Sequence, residues 1–333
     1  MKLEVAERLL LTGAGFTHNF GAPLAKGMWE KIFNHQAVQE EERIRSLMLE
    51  DFNYESVYYS VMEGDFSNKE KNAINRAIIG AYNNIDSIVM DYLQYPLDTH
   101  GVCELIDKFA ENQKKGFVFT LNQDLFIRRI HNQRGRKKLS LLGVEDKLDM
   151  LTIRFQKPVE NRHYSQVPTE DEVDSTKNQI LLNEKFFYVK LHGSQDWISS
   201  DGSQVMVIGG GKEEQIKKEP ILTWYFDLFR EVLFQPERCL LVIGYGFGDE
   251  HINEIIADAV EQSGLKIYMV SPKPVDELYD KKFIAMDSKI RDRIWSGLSG
   301  YFQCTLVQMF PPDQSVTQHY RSLLKYLFGI NIP

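Results

Sequence analysis

Leu240-Leu241-Val242-Ile243-Gly244-Tyr245-Gly246-Phe247-Gly248-Asp249, running into Glu250-His251-Ile252-Asn253, is the stretch on which the fold of this chain turns. Consecutive apolar residues without polar alternation predict a strand buried on both faces, as inside a parallel sheet. Three alternate glycines then permit a tight turn and a close approach of backbone to a ligand. Asp249 stands where a helix cap belongs, and helical spacing follows over Glu250 to Gln262. The segment therefore predicts one βα unit. Its glycines fit either a nucleotide contact or a plain flexible turn capped by Asp249.

Runs of the same kind recur on both sides of it. Arg8 to Thr12, Gly116 to Leu121, Phe186 to Leu191, Cys239 to Gly244, Lys266 to Val270 and Thr305 to Met309 are each of strand length and mostly apolar. Helical patterns lie between most of them. Lys69 to Leu93 is the longest, with Ile74, Ala77, Ile78, Ala81, Ile85, Ile88 and Val89 at spacings of three and four, and Gln318 to Leu327 is another. Strand–helix alternation of this kind predicts an α/β fold, a doubly wound and mostly parallel Rossmann-like sheet. Phe33 to Gln113 carries no strand pattern and predicts a helical insertion after the first βα unit. Phe155 to Asn183 is polar, with Pro158, Pro168 and the cluster Glu170-Asp171-Glu172, and is expected to form a long surface loop. With no internal repeat or linker composition, residues 1–333 are expected to form a single catalytic domain.

Composition narrows the function classes. The 333 residues are 43% apolar and 26% charged, as in core-forming globular proteins. The formal net charge of −8 argues against a general nucleic-acid coat, which needs a basic face to displace counterions. One dense basic run, Arg128-Arg129 through Arg134-Gly135-Arg136-Lys137-Lys138, leaves room for a local patch only. Cys103, Cys239 and Cys304 are scattered, and the eight histidines show neither an H-x3-H nor an H-E-x-x-H spacing. No zinc cage and no other metal site is therefore expected, and the scattered cysteines fit a reducing cytoplasm. The acidic start of the chain does not resemble a signal peptide, and no apolar run reaches the ~18 residues of a membrane span. A soluble cytoplasmic protein without membrane contact is expected.

Three more strand ends carry ligand-type chemistry. Leu9-Leu10-Leu11-Thr12-Gly13-Ala14-Gly15-Phe16-Thr17 runs from a strand into G-x-G, but His18 stands where the third glycine of a dinucleotide fingerprint belongs. Either a diphosphate site or a tight βα turn fits. Phe117-Val118-Phe119-Thr120-Leu121-Asn122-Gln123-Asp124 ends a strand on a polar cluster, which fits a ligand site or an Asn/Asp helix cap. Phe187-Tyr188-Val189-Lys190-Leu191-His192-Gly193-Ser194 ends on a titratable ring, a base or a structural hydrogen-bonding group, with Gly193 leaving room for a ligand beside it.

Taken together, these segments resemble the sirtuin-like NAD-consuming proteins of bacterial anti-phage defence. The likeness runs from Leu9 to about Val270. Gly13-Ala14-Gly15-x-Thr17 is similar to the sirtuin G-A-G-x-S start, and Thr120-x-Asn122-x-Asp124 to the T-x-N-x-D motif. Lys190-Leu191-His192-Gly193-Ser194 with Trp197 resembles the K-L-H-G-S-x-x-W of the bacterial group, and Gly244 to Asn253 is the most distinctive match. Deacylating sirtuins carry two C-x-x-C pairs, which this chain lacks.

The resemblance implies an NAD+ glycohydrolase releasing nicotinamide and ADP-ribose, with NAD+ as substrate. It casts Asn122 and His192 as catalytic, Asp124 on the carboxamide, Gly13, Ala14, Gly15 and Thr17 on the diphosphate, and Gly244, Gly246 and Gly248 beside the adenosine half. It further implies a homo-oligomer with a separately encoded ATPase or nucleic-acid-guided subunit, without direct nucleic-acid binding. The aromatics Phe52, Tyr54, Tyr58 and Tyr59 of the helical region are then a candidate contact surface, or else a lid on the cleft. An NAD or ADP-ribose-binding regulatory module, and an NAD-dependent deacylase or ADP-ribosyltransferase, are the alternatives.

Overall fold

The computed structural model describes residues 3–90, 96–110, 114–131, 136–145, 164–278 and 286–332. Its centre is a seven-stranded sheet built from β1 (Arg8–Thr12), β2 (Gly116–Thr120), β3 (Ser140–Leu141), β5 (Phe186–Lys190), β8 (Cys239–Ile243), β9 (Lys266–Ser271) and β10 (Leu298–Gln303). They lie in the order β10-β9-β8-β1-β2-β5-β3, and every neighbouring pair is parallel. All five residues of β2 and of β5 are buried, as are four of five in β1 and β8, the burial that unalternated apolar runs predict. This is the expected Rossmann-like α/β architecture. A second, three-stranded sheet, β4 (Ser165–Gln166), β6 (Gly193–Ile198) and β7 (Gln204–Met206), leaves the end of β5.

Between β1 and β2 every described helix or strand is a helix. The helix Asn68–Met90 buries Ala73, Ile74, Ala77, Ile78, Ala81, Tyr82 and Ile85 along one stripe against the helices Ala25–Phe33, Gln36–Gln39 and Tyr54–Glu63. Residues 91–95 and 111–113 of the predicted helical region lie outside the described residues.

Two expectations of secondary structure are corrected. Thr305 to Met309 is not a strand: Leu306–Met309 is a helical turn with a Thr305/Gln308 capping box, and Leu306 and Met309 are buried on one side at a spacing of three. The edge strand is instead β10, in which only Phe302 is buried, so its sequence lacks the apolar signal of a central strand. The predicted loop over Phe155 to Asn183 contains the helix Glu170–Asn183, capped by a Thr169/Glu172 box. Glu170, Asp171 and Glu172 fall in its first turn, where the helix dipole favours negative charge. It buries only Val173, so no apolar period announced it, and residues 155–163 lie outside the described residues. The basic run is also reread: Arg128 pairs with Asp196 at 2.7 Å and Arg129 with Asp86 at 2.6 Å, both inside the protein. Residues 132–135 of that run lie outside the described residues.

Candidate active site

From β1 the chain crosses to β2 on one side, and from β8 to β9 on the other. A crevice opens at such a reversal, at the carboxyl ends of the strands, and that is where an open α/β sheet takes its ligands. The turns after β1 and β8 meet there backbone to backbone. The Gly13 amide donates to the Ile243 carbonyl at 3.1 Å and the Gly15 amide to the Gly244 carbonyl at 2.9 Å. A Cβ on Gly13 would stand 2.8 Å from the Gly244 oxygen, and one on Gly244, whose φ is +69°, would fall on the Phe16 amide nitrogen. These glycines therefore first serve to let two turns touch, and the Gly13 and Gly15 amides are committed to that contact. Gly15 packs against Gly244 behind the crevice, while Gly13, Ala14 and Thr17 border it.

The motif after β2 is one hydrogen-bonded chain. The Asn122 amide donates to Thr120 Oγ1 at 3.1 Å, and Thr12 Oγ1 donates to the same oxygen at 2.8 Å, which ties β1 to β2. Asn122 Nδ2 donates to the Gly13 carbonyl at 3.0 Å and to Thr17 Oγ1 at 2.9 Å. Thr17 Oγ1 in turn donates to Asp124 Oδ2 at 3.0 Å, and Asp124 Oδ1 accepts from the Phe126 amide at 2.9 Å. With both amide hydrogens engaged, Asn122 offers its Oδ1 to a ligand. Burial raises the Asp124 carboxyl above its ordinary value against the opposing pull of the Lys190 charge and of its hydrogen bonds. The helix-cap and ligand-site readings of this segment thus coexist, because Asp124 caps the helix Phe126–His131 while lining the crevice.

Lys190 closes the motif from β5. Its Nζ, fully buried, donates to the Asn122 carbonyl at 2.8 Å and the Asp124 carbonyl at 2.6 Å, and burial lowers its pKa to about 8. Two residues on, His192 is 4% exposed, and burial lowers its pKa to about 3. Gly193 has φ +73°, and a Cβ there would strike the Val205 carbonyl, so this glycine turns the chain from β5 into β6. That replaces the expectation of a space left for ligand. Trp197 is wholly buried against Tyr225, a core residue.

His192 does not stand alone. Its Nε2 lies 3.1 Å from Nε2 of His251, on the first turn of the helix Glu250–Ser263. Asp249, His192 and His251 place one ligand-type atom each within 4.8 Å of the others. Burial lowers the His251 pKa as well. Burial would raise the Asp249 carboxyl, but His192, Lys212 with its hydrogen bond, and His251 beside it outweigh that and hold it low. Lys212 Nζ bridges Asp249 at 2.7 Å and Glu55 at 2.9 Å, tying the β8 turn to the helix Tyr54–Glu63 of the insertion.

The cavity enclosed by these groups measures about 310 Å³, within the roughly 300–1,000 Å³ usual for small-molecule sites. Gly13, Ala14, Thr17, Asn122, Asp124, His192, Gly244, Gly246 and Gly248 all border it; Gly15 does not. The insertion contributes Tyr54, Glu55, Tyr82 and Ile85. Tyr54 is therefore a buried wall residue and not the exposed aromatic its sequence predicts, whereas Phe52 and Tyr59 are exposed. Sequence reasoning missed Lys190, Lys212, His251 and the insertion's wall residues as site components. For Lys212 a signal existed in the glycine run Gly209-Gly210-Gly211 just before it, in which Gly209 and Gly211 have positive φ.

A parallel, doubly wound sheet with two glycine turns and a polar, partly titratable crevice at its switch point defines a nucleotide-type α/β domain. The family model described as SIR2-like domain matches residues 116–291, just over half of the chain, from β2 into the first turn of the helix Ser288–Ser296. The chain belongs to that SIR2-like family, whose domains bind NAD+. No curated protein matches the chain. No helix among the described residues is long and apolar enough to cross a membrane.

Proposed function

We propose that this protein is an NAD+ glycohydrolase, cleaving NAD+ with water to nicotinamide, ADP-ribose and a proton. The observation that carries the reading is the convergence of Asn122 and His192, far apart in sequence, on one crevice with the two glycine turns. The C1′–nicotinamide bond joins a sugar to a cationic ring that leaves as a neutral molecule, so no acid has to protonate the leaving group. What the site must supply is a held ribose, an exposed C1′ and an oriented water. Asn122 Oδ1 accepts from that water or from a ribose hydroxyl, held in place by the bonds from its Nδ2 to Gly13 and Thr17. His192, held neutral by burial, acts as a hydrogen-bond acceptor toward the ribose rather than as a strong base. Asp124 faces the carboxamide, the Gly13–Thr17 turn borders the diphosphate, and the Gly244–Gly248 turn borders the adenosine half.

Cleavage proceeds in this reading without a resident metal. The wider role, depletion of NAD+ in anti-phage defence by a cytoplasmic homo-oligomer with a separately encoded ATPase or nucleic-acid-guided subunit, rests on the motif resemblance. Light scattering on the isolated chain tests the assembly. Incubating purified protein with NAD+ and resolving the products by chromatography tests the chemistry. Nicotinamide and ADP-ribose in equal amounts are expected. NAD+ bound but uncleaved under every assembly condition would turn the reading into that of a binding module, and a deacylated or an ADP-ribosylated peptide product into that of a deacylase or an ADP-ribosyltransferase.

A further inference from the structure

We infer that His192, Asp249 and His251 form a three-ligand site for a divalent transition metal of the zinc type, opening into the crevice. Asp249-x-His251 and His192 come from different strand ends, so only the fold assembles them. The two imidazole Nε2 atoms face one another at 3.1 Å. With each nitrogen about 2.0–2.1 Å from zinc, that 3.1 Å separation corresponds to an N–Zn–N angle of roughly 100°, close to tetrahedral. The Asp249 carboxylate, within 4.8 Å of both, reaches the third position by rotating its short side chain.

Three protein ligands leave a fourth position open, and His192 and Asp249 both lie on the cavity wall, so it faces the crevice. Two nitrogens and one carboxylate favour zinc, cobalt or nickel over magnesium and calcium, which prefer all-oxygen shells. Lys212, the adjacent cation, is balanced by Glu55 at 2.9 Å and still has that partner when Asp249 turns to a metal. In the metal-free chain one ring's Nε2–H donates to the other. Metal and catalysis compete, because an ion held by His192 and Asp249 would occupy the crevice wall where the ribose must lie. The site is thus inhibitory, a consequence that rests on the glycohydrolase reading, whereas metal binding itself does not.

Equilibrium dialysis of the full chain against zinc chloride, with elemental analysis, tests binding independently of NAD+. One zinc per chain is expected, weakened by at least about tenfold in His251→Gln and in Asp249→Asn and unchanged in Cys239→Ser, which removes the most exposed thiol. Cobalt(II) added to the wild type should give the intense visible bands of a four-coordinate ion. Wild type that holds no more zinc than His251→Gln, zinc lost in Cys239→Ser, or only the weak spectrum of six-coordinate cobalt would each overturn the site. The cobalt spectrum decides even if a variant fails to fold. Where NAD+ cleavage is observed, zinc should suppress it and a chelator restore it. If no cleavage occurs in metal-free protein under any assembly condition, the glycohydrolase reading fails while the dialysis still reads the site.

Discussion

Asn122 carries two loads, and its substitution should reveal both. Asn122→Ala removes the donor to the Gly13 carbonyl and to Thr17 Oγ1 and leaves buried acceptors short of a partner, a loss of about 1–3 kcal/mol in stability. It also removes the Oδ1 that orients water, for which an expected drop of about 100-fold or more in kcat follows. Turnover together with a denaturant melt checks the pair; undiminished turnover in a folded variant would remove Asn122 from the chemistry. For His192 the sign is set by burial. Its pKa falls from 6.5 unfolded to about 3 folded, so between those values the unfolded chain binds a proton that the native state refuses. Acidification through that window therefore lowers stability, and above about pH 6.5 the group contributes no pH dependence. Activity should show no acid limb near pH 6.5 attributable to this ring. A pH–rate profile whose limb near that value disappears in His192→Ala would contradict the buried, neutral histidine.

At the scale of elements, the glycines of the β8 turn divide into those that pack and those that merely border the crevice. Gly244 has φ +69° and no room for a Cβ beside Gly15 and Phe16, so Gly244→Ala should destabilise the fold by about 2 kcal/mol or more. Gly248 has nothing within 4 Å of where its Cβ would stand, and Gly248→Ala should stay within about 0.5 kcal/mol of wild type. Thermal melts of the two variants separate them, and equal losses would mean that the close approach of the two turns is not what Gly244 provides. The same distinction marks which elements were legible. Central strands β2 and β5 announce themselves because both faces must be apolar. Edge strand β10 and the exposed helix Glu170–Asn183 bury too little for any period to show.

Across the whole molecule, the helical insertion closes the crevice that the sheet opens. Lys212 joins Glu55 of the insertion to Asp249 of the β8 turn, largely shielded from water. Breaking one arm loosens the closure without touching Asn122 or His192. Glu55→Gln should raise KM for NAD+ by about fivefold, the equivalent of roughly 1 kcal/mol, with little change in kcat. Steady-state kinetics over a range of salt read it, since a latch made of ions weakens with screening. A KM unmoved by the substitution would make the Glu55 arm a bystander. With Tyr54 on the cavity wall and Phe52 and Tyr59 outside it, the insertion has a lid face and an exposed face, so the lid and contact-surface readings fall on different residues.

The sequence by itself determined the parallel sheet, the helical insertion and the four strand ends that gather at the crevice. Each follows from local rules: apolar runs where strands are buried twice, a helical period where one face packs, glycine where backbones must touch. It also marked Asn122 and His192, because polar residues at the ends of buried strands are conspicuous. Partnership was decided only by the tertiary structure. The pairing of His192 with His251, the Lys212 bridge to Glu55 and the seating of Lys190 over the Asn122 and Asp124 carbonyls all join residues from separate elements. No spacing rule encodes such contacts. They arise when the order β8-β1-β2-β5 brings strand ends side by side, and the burial that follows sets the charge of each group.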